Sequence, residues 1–274
     1  RPKKITMKKA KDRKNLSAEN GGPMRIIFGM TRILGLLMVA VLATIGCQKH
    51  MKSTSDFAAE RRKMVDEQLR ARGIKDQRVL TAMAKVPREA FVPEDMRSKS
   101  YFDSALPIGH DQTISQPFIV AFMTEQLRVQ PNDRILEVGT GSGYQAAVLA
   151  ELAKDVYTIE ILEPLGRDAS ARLTRLGYSN AHVKVADGSQ GWPEVAPFDD
   201  IIVTCAPDKV PVPLTQQLKE NGRMVIPVGT GMNQQLFLLE KKNGQLVQTA
   251  ILPVRFVSMT GRAGEKTDLA SPRN

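Results

Sequence analysis

Cysteine is almost missing from this chain, with only Cys47 and Cys205 in 274 residues, so no disulfide framework argues for an oxidising compartment. Histidine is equally scarce. His50, His110 and His182 stand far apart and give no metal-ligand spacing, so no metal is expected. Aromatic residues make up 5% of the chain with a single tryptophan, Trp192, between Gly191 and Pro193, where it reads as a packing residue. Cys205 sits inside an apolar strand with no local histidine or lysine to lower its pKa, and reads as an inert core thiol. Acidic charge is short at one end only. Twelve of the 39 Lys and Arg but two of the 29 Asp and Glu lie in residues 1–52, leaving 27 of each sign beyond and locating the formal charge of +10 in those first 52 residues. Binding to a phosphate backbone needs a basic face. The neutral remainder therefore argues against a nucleic-acid partner.

Long hydrophobic runs are also lacking, apart from Ile33 to Ile45, which follows Arg25 and Arg32 and ends in Thr44-Ile45-Gly46-Cys47. That run is too short for a comfortable membrane span. It resembles a bacterial lipoprotein signal, in which the cysteine becomes lipidated and would anchor the protein through Cys47. The competing reading is a buried helix, because the segment has no polar face. Residues 1–23 read as a basic disordered leader, 24–52 as the signal-like segment and 53–274 as the folded domain. With 42% hydrophobic and 25% charged residues overall, one sizeable core is the expectation.

The chain is organised around Ile135-Leu136-Glu137-Val138-Gly139-Thr140-Gly141-Ser142-Gly143-Tyr144, a buried strand leading through a glycine turn into a helix. Dinucleotide sites favour G-x-G-x-x-G, and here the third glycine comes one residue early, with Tyr144 where the last glycine belongs. Glu137-x-Gly139-x-Gly141-x-Gly143 instead resembles the first motif of S-adenosylmethionine-dependent methyltransferases. Glu160 ends the next strand, where a carboxylate can accept both ribose hydroxyls.

Around this centre the chain alternates strand and helix. Asp56 to Arg72 and Asp76 to Val86 read as two helices of an N-terminal cap whose Lys and Arg form a solvated face. Ile108 to Pro117 is a polar, turn-forming loop before a helix from Phe118 to Arg128. Pro117 suits its first position and Ser115 or Gln116 its cap. The hydroxyls of Thr113 and Ser115 and the exposed N–H groups could receive a carboxylate there, or the segment could be a plain capped loop. Further on, Val156 to Ile161, His182 to Ala186, Phe198 to Pro207 and Gly222 to Val228 read as parallel strands, with helices at Pro164 to Leu176 and Leu214 to Lys219. Leu236 to Lys241 and Leu246 to Phe256 read as a hairpin about Asn243-Gly244. The expected fold is α/β: a doubly wound, mostly parallel sheet of about seven strands, with an N-terminal helical cap and a C-terminal antiparallel hairpin.

Across about residues 56–262 the sequence resembles the protein-L-isoaspartate (D-aspartate) O-methyltransferases. The resemblance rests on Val86-Pro87-Arg88 with Phe91-Val92-Pro93, Thr113 to Pro117, Leu136 to Leu152, Asp199 to Pro207, Arg223 to Gly229, and Pro253-Val254-Arg255-Phe256-Val257. It implies methyl transfer from S-adenosylmethionine to the α-carboxylate of isoaspartyl residues in damaged proteins and peptides, by a monomer in the cytoplasm, where this cofactor is made. A lipidated Cys47 would place it in the envelope instead. By the same resemblance Ser115 is catalytic, while Ile108, Thr113, Ile114 and Gln116 bind substrate. Glu137, Gly139, Thr140, Gly141, Glu160, Asp187 and Gly188 hold the cofactor; apart from the resemblance, Trp192 reads as a packing residue near the adenine edge. Asp111 stands where the family usually has glycine, and Ser258 where it usually has proline. Asp111 is the more consequential, adding a second carboxylate beside an anionic substrate. The rivals are a methyltransferase for another small acid or RNA, and a non-catalytic S-adenosylmethionine-binding protein. No N-P-P-Y-like tetrapeptide of the amino-methylating kind occurs.

Overall fold

The computed structural model describes residues 53–261; the expected leader, the signal-like segment and Cys47 lie outside them. Ser53 caps the first helix, α1 (Thr54–Lys63), through a capping box with Asp56. The helix expected to run unbroken to Arg72 changes character at Met64. It continues as a π turn (Met64–Leu69) and a 3₁₀ turn (Arg70–Arg72) stopped by Gly73 at φ 98°. This wider turn keeps Met64, Val65 and Leu69 all in the core. Helix α2 (Gln77–Lys85) starts at Asp76, whose side chain accepts from the Arg78 N–H. The basic residues of this cap are not uniformly solvated. Arg61 donates to the Lys85 carbonyl, the Tyr101 hydroxyl and Glu89, and the Arg72 guanidinium lies 3.7 Å from the Phe118 ring centre.

The segment expected as an irregular loop is a small hairpin, β1 (Leu106–Gly109) and β2 (Gln112–Ile114). Leu106 pairs with Ile114 and both are buried, so two apolar side chains under a polar turn suffice to set the register. Helix α3 (Pro117–Leu127) follows, with Pro117 in its first turn. The remainder is β3 (Arg134–Val138), α4 (Tyr144–Ala150), β4 (Asp155–Glu160), α5 (Glu163–Arg175), β5 (Ala181–Val185), β6 (Phe198–Val203), α6 (Val212–Gln217), β7 (Leu218–Thr230), β8 (Asn233–Lys242) and β9 (Gln245–Val254). α6 begins and ends two residues earlier than expected and β7 is longer, because Leu218 already pairs with Phe198 before a register shift.

The seven-stranded sheet has the order β5-β4-β3-β6-β7-β8-β9. Strands β3 to β7 are parallel, and β8 and β9 are antiparallel additions at one edge. Consecutive residues of the inner strands feed two cores. Ile135, Ile202 and Val225 pack with the N-terminal helices, whereas Leu136, Ile201 and Met224 pack on the opposite face with Leu214 and Leu218. Burial on both faces is why these strands read as apolar runs. Chain order reverses at β3, between β4 and β6, and the carboxyl ends at such a reversal leave a crevice for a ligand.

Candidate active site

At the end of β3 the chain turns through Gly139, Gly141 and Gly143 at φ 97°, 52° and 86°, a left-handed path that side chains resist. Space is short as well: a Cβ on Gly139 would overlap the Thr204 hydroxyl, and one on Gly188 would overlap Val138. The Gly139 and Thr140 N–H groups donate to the Ile159 carbonyl at 2.8 and 3.1 Å, fastening the turn to β4. Glu160, at the end of β4, accepts from the Gly141 N–H at 2.8 Å and the Leu162 N–H at 3.0 Å. Its carboxylate therefore faces the turn.

Glu137 lies beneath the turn, fully buried. One of its oxygens accepts from the Thr158 hydroxyl at 2.6 Å, and that hydroxyl is 2.6 Å from the Thr140 hydroxyl. Its Oε1 has no partner among the described residues. Burial pushes the Glu137 carboxyl up to about 8; the Thr158 bond opposes the rise and the Glu160 charge adds to it. A buried acceptor left open under a cleft is suited to a cationic or N–H-bearing ligand.

Three cavities meet here. The first, about 250 Å³, is walled by the glycine turn, Glu160, Gly188, Thr204 and Cys205, by His110 to Thr113 opposite, and by Val257 to Thr260. A second of about 430 Å³ is lined by Thr113, Ser115, Gln116, Ile119, Met232 and Phe256 among others. Between them a pocket of about 40 Å³ reaches Glu137, Ile114 and Ser115. Thr113 and Thr204 line all three, so the two larger spaces adjoin at those residues.

Most residues singled out from the sequence converge on this place. Thr113, Ser115 and Gln116 wall the second cavity, and the Ser115 hydroxyl has no hydrogen-bond partner among the described residues. Ile114 is buried behind them. Ile108 packs on the glycine turn, within 3.5 Å of where a Gly141 Cβ would stand, and lines none of the three cavities. Asp187 accepts from the Ser189 N–H at 2.9 Å and abuts Gly261, while its neighbour Gly188 lines the first cavity. Trp192 is held by its N–H to Gln217 and packs edge-on against Tyr157 at 5.5 Å, outside the lining of the three cavities. Cys205 is in the wall of the first cavity, where burial pushes its thiol up to about 12 and the Glu160 charge adds to the rise. That is the condition of an inert thiol.

Asp111 is exposed and, with His110, forms the tip of the β1–β2 hairpin, at φ 56° and 52°. Both adopt the left-handed conformation that glycine takes without strain. Sequence reasoning gave no site role to Thr158, Thr204 or the wall at Val257 to Thr260, although Thr204 and Val257 lie in the stretches that carry the family resemblance and Ser258 was noted as a departure from it. It also assigned no role to Arg88, although a lone arginine between Val86 and the apolar Phe91-Val92 was a visible signal.

Strand order, glycine turn, the open acceptor of Glu137 and the facing Glu160 together define an S-adenosylmethionine-dependent methyltransferase of the Rossmann-like class. The family profile described as protein-L-isoaspartate(D-aspartate) O-methyltransferase matches residues 59–264. A protein-L-isoaspartate O-methyltransferase of Opitutus terrae is 51% identical over 226 residues, covering 82% of this chain and 97% of that protein. One from Gloeobacter violaceus is 54% identical over 198 residues, covering 72% and 97%. Among solved structures, a protein-L-isoaspartate O-methyltransferase superposes with a TM-score of 0.69 at 32% identity, covering 74% of this chain and 67% of that one. A Plasmodium falciparum protein described as the same enzyme, in complex with S-adenosyl-L-homocysteine, gives 0.65 at 27% identity, covering 73% and 98%. The chain belongs to the protein-L-isoaspartate(D-aspartate) O-methyltransferase family. Among the described residues no group of three or more His, Cys, Asp or Glu could hold a metal ion, and no helix is long and apolar enough to cross a membrane.

Proposed function

We propose that the first cavity takes S-adenosylmethionine and the second a damaged peptide, so that a methyl group passes to the free α-carboxylate of an L-isoaspartyl residue. D-aspartyl residues are a second substrate class. The resulting ester closes to a succinimide, whose hydrolysis restores part of the normal aspartate. The observation that carries this reading is the meeting of the two cavities at Thr113 and Thr204, with Ser115 on one side and the glycine turn on the other. When bound, S-adenosylmethionine supplies an electrophilic methyl group on a sulfonium. Glu137, Gly139, Thr140 and Gly141 would hold its amino-acid end, Glu160 its ribose, and Asp187 and Gly188 the side towards the base.

A carboxylate is already ionised at neutral pH, so the protein needs no strong base, and its task is alignment. Ser115 has no neighbouring base that would make it a nucleophile. Its uncommitted hydroxyl is available to hold the substrate carboxylate by the oxygen that does not attack, leaving the other nucleophilic. Thr113 and Gln116 would contact the peptide from the same wall, with Ile108 and Ile114 supporting them. Methanol release from an isoaspartyl peptide, compared with its aspartyl twin, tests the reading. Equal release from both, or none from the isoaspartyl form, would overturn it.

We further propose that residues 53 onward are the whole catalytic domain, acting as a monomer in the cytosol, where the cofactor is made, and without a nucleic-acid partner. A chain truncated to begin at Ser53 should stay folded and bind cofactor. Recovery of the full chain in the membrane fraction, with loss of that behaviour in Cys47→Ser, would instead support a lipid anchor.

A further inference from the structure

The Arg88 side chain is fully buried yet belongs to no ion pair within 4.0 Å of a carboxylate among the described residues. Its Nε donates to the Ser100 carbonyl at 2.7 Å and one Nη to the Ser115 carbonyl at 2.7 Å. The guanidinium carbon lies 4.8 Å from the ring centre of Tyr144, the first residue of α4 after the glycine turn. Its other Nη meets no acceptor at hydrogen-bonding geometry, while the guanidinium interacts with the Tyr144 side chain beside it. Burying a guanidinium without a carboxylate opposes folding, and an apolar side chain would fill the space without that penalty. What an apolar residue could not do is hold a carbonyl.

The held carbonyl is placed where it controls Ser115. Strand β2 ends at the buried Ile114, and α3 begins at Pro117. Gln116 precedes a proline and is confined to extended backbone, as its φ of −51° and ψ of 138° show. Ser115 is thus the one residue left to adjust between a fixed strand end and a fixed helix start. A hydrogen bond to its carbonyl sets the Ser115–Gln116 peptide plane, and with it the direction in which the serine Cα–Cβ bond leaves the backbone. The outer side of the same segment is tied by Gln116 to Asp103 at 2.8 Å, and Asp103 is paired with Arg72 at 2.9 Å.

We propose that Arg88 is a positioning residue for methyl transfer, registering the Ser115 peptide against the Tyr144 end of the cofactor turn. The proposal rests on the role given to Ser115 above. Arg88→Lys keeps the charge and most of the volume but cannot hold two carbonyls in a fork. It should lower kcat on an isoaspartyl peptide by about 10-fold or more, with the dissociation constant for S-adenosylmethionine within about 3-fold of the parent. Guanidinium ion added to Arg88→Ala should restore part of kcat without changing the apparent affinity for cofactor. Hydrogen exchange at residues 113–116 should quicken in Arg88→Lys while that at 139–143 stays slow. This readout needs no turnover, and so separates failure of the positioning role from failure of the proposed reaction. Parental kcat in folded Arg88→Lys, equal loss of cofactor affinity and turnover, or unchanged exchange at 113–116 would each overturn the proposal.

Discussion

The two walls of the first cavity are built on opposite plans. On one side the glycine turn is fastened by N–H groups to the β4 carbonyl and rests on the parallel sheet. On the other, His110 to Thr113 belong to a two-stranded hairpin outside that sheet, with two side-chain-bearing residues in left-handed backbone at its tip. The first wall presents bare backbone to a ligand of constant shape. The second presents side chains, and its Thr113 also lines the second cavity, where the proposed function puts a peptide whose neighbours vary. Holding one molecule calls for rigidity, whereas accepting many calls for a segment that can be set by a few contacts.

Substitutions should show that difference as a graded series. Gly139→Ala is expected to have the largest effect: left-handed backbone and overlap with Thr204 together cost about 2–4 kcal/mol. A lowered Tm with loss of S-adenosylmethionine binding is the expected result, and an unchanged Tm would mean that the wall yields. On the same side, pH should act through Glu137, whose buried carboxyl is raised from 4.5 to about 8. The neutral form is the one favoured by folding, so its stabilisation is complete below the ordinary value and is lost as pH rises through about 8. Melting followed between pH 6 and 8.5 should show this decline in the parent and a flatter profile in Glu137→Gln; identical profiles would remove Glu137 as the cause.

Glu160→Ala should weaken cofactor binding by about 1–3 kcal/mol, the usual cost of losing hydrogen bonds to a charged group, as read by calorimetry. Crossing to the hairpin side, Ser115→Ala should leave that affinity nearly intact and lower turnover about 10-fold, a barrier change of about 1.4 kcal/mol. If both fall together, Ser115 serves the cofactor and the contrast between the walls breaks down. Asp111→Gly should have the smallest effect, relieving under about 1 kcal/mol of left-handed strain. A modest fall in KM for isoaspartyl peptide, through loss of a like charge, would sharpen the comparison, and a rise in KM would show that Asp111 helps to bind.

The same contrast explains what the sequence made legible. The glycine turn, Glu137 and Glu160 could be read because strand, turn and acidic partner recur at fixed spacing whenever backbone must approach a nucleotide. The Asn243-Gly244 turn was equally readable, since both residues take positive φ, as a tight hairpin requires. The β1–β2 hairpin was not: His110-Asp111 is no turn signal, and a strand of three residues has no periodicity to detect. Thr204, Val257 and Ser258 stood in stretches that the family resemblance picked out, yet nothing local gave them, or Met259 and Thr260, a place in the cavity wall. Their role comes from β6 and the segment after β9 arriving beside β3, a consequence of strand order and not of neighbouring residues.

That late wall has a consequence in time. Residues 257–260 reach the cavity by pairing with Ala206: the Ala206 N–H donates to the Val257 carbonyl and the Met259 N–H to the Ala206 carbonyl, both at 2.8 Å. During synthesis the glycine turn and its strands leave the ribosome long before this segment, and chains begin to fold from the end made first. A nascent chain thus owns its nucleotide turn without yet owning an enclosed site. Enclosure of the cavity is therefore one of the last steps of assembly, completed only when residues 257–260 pair with Ala206.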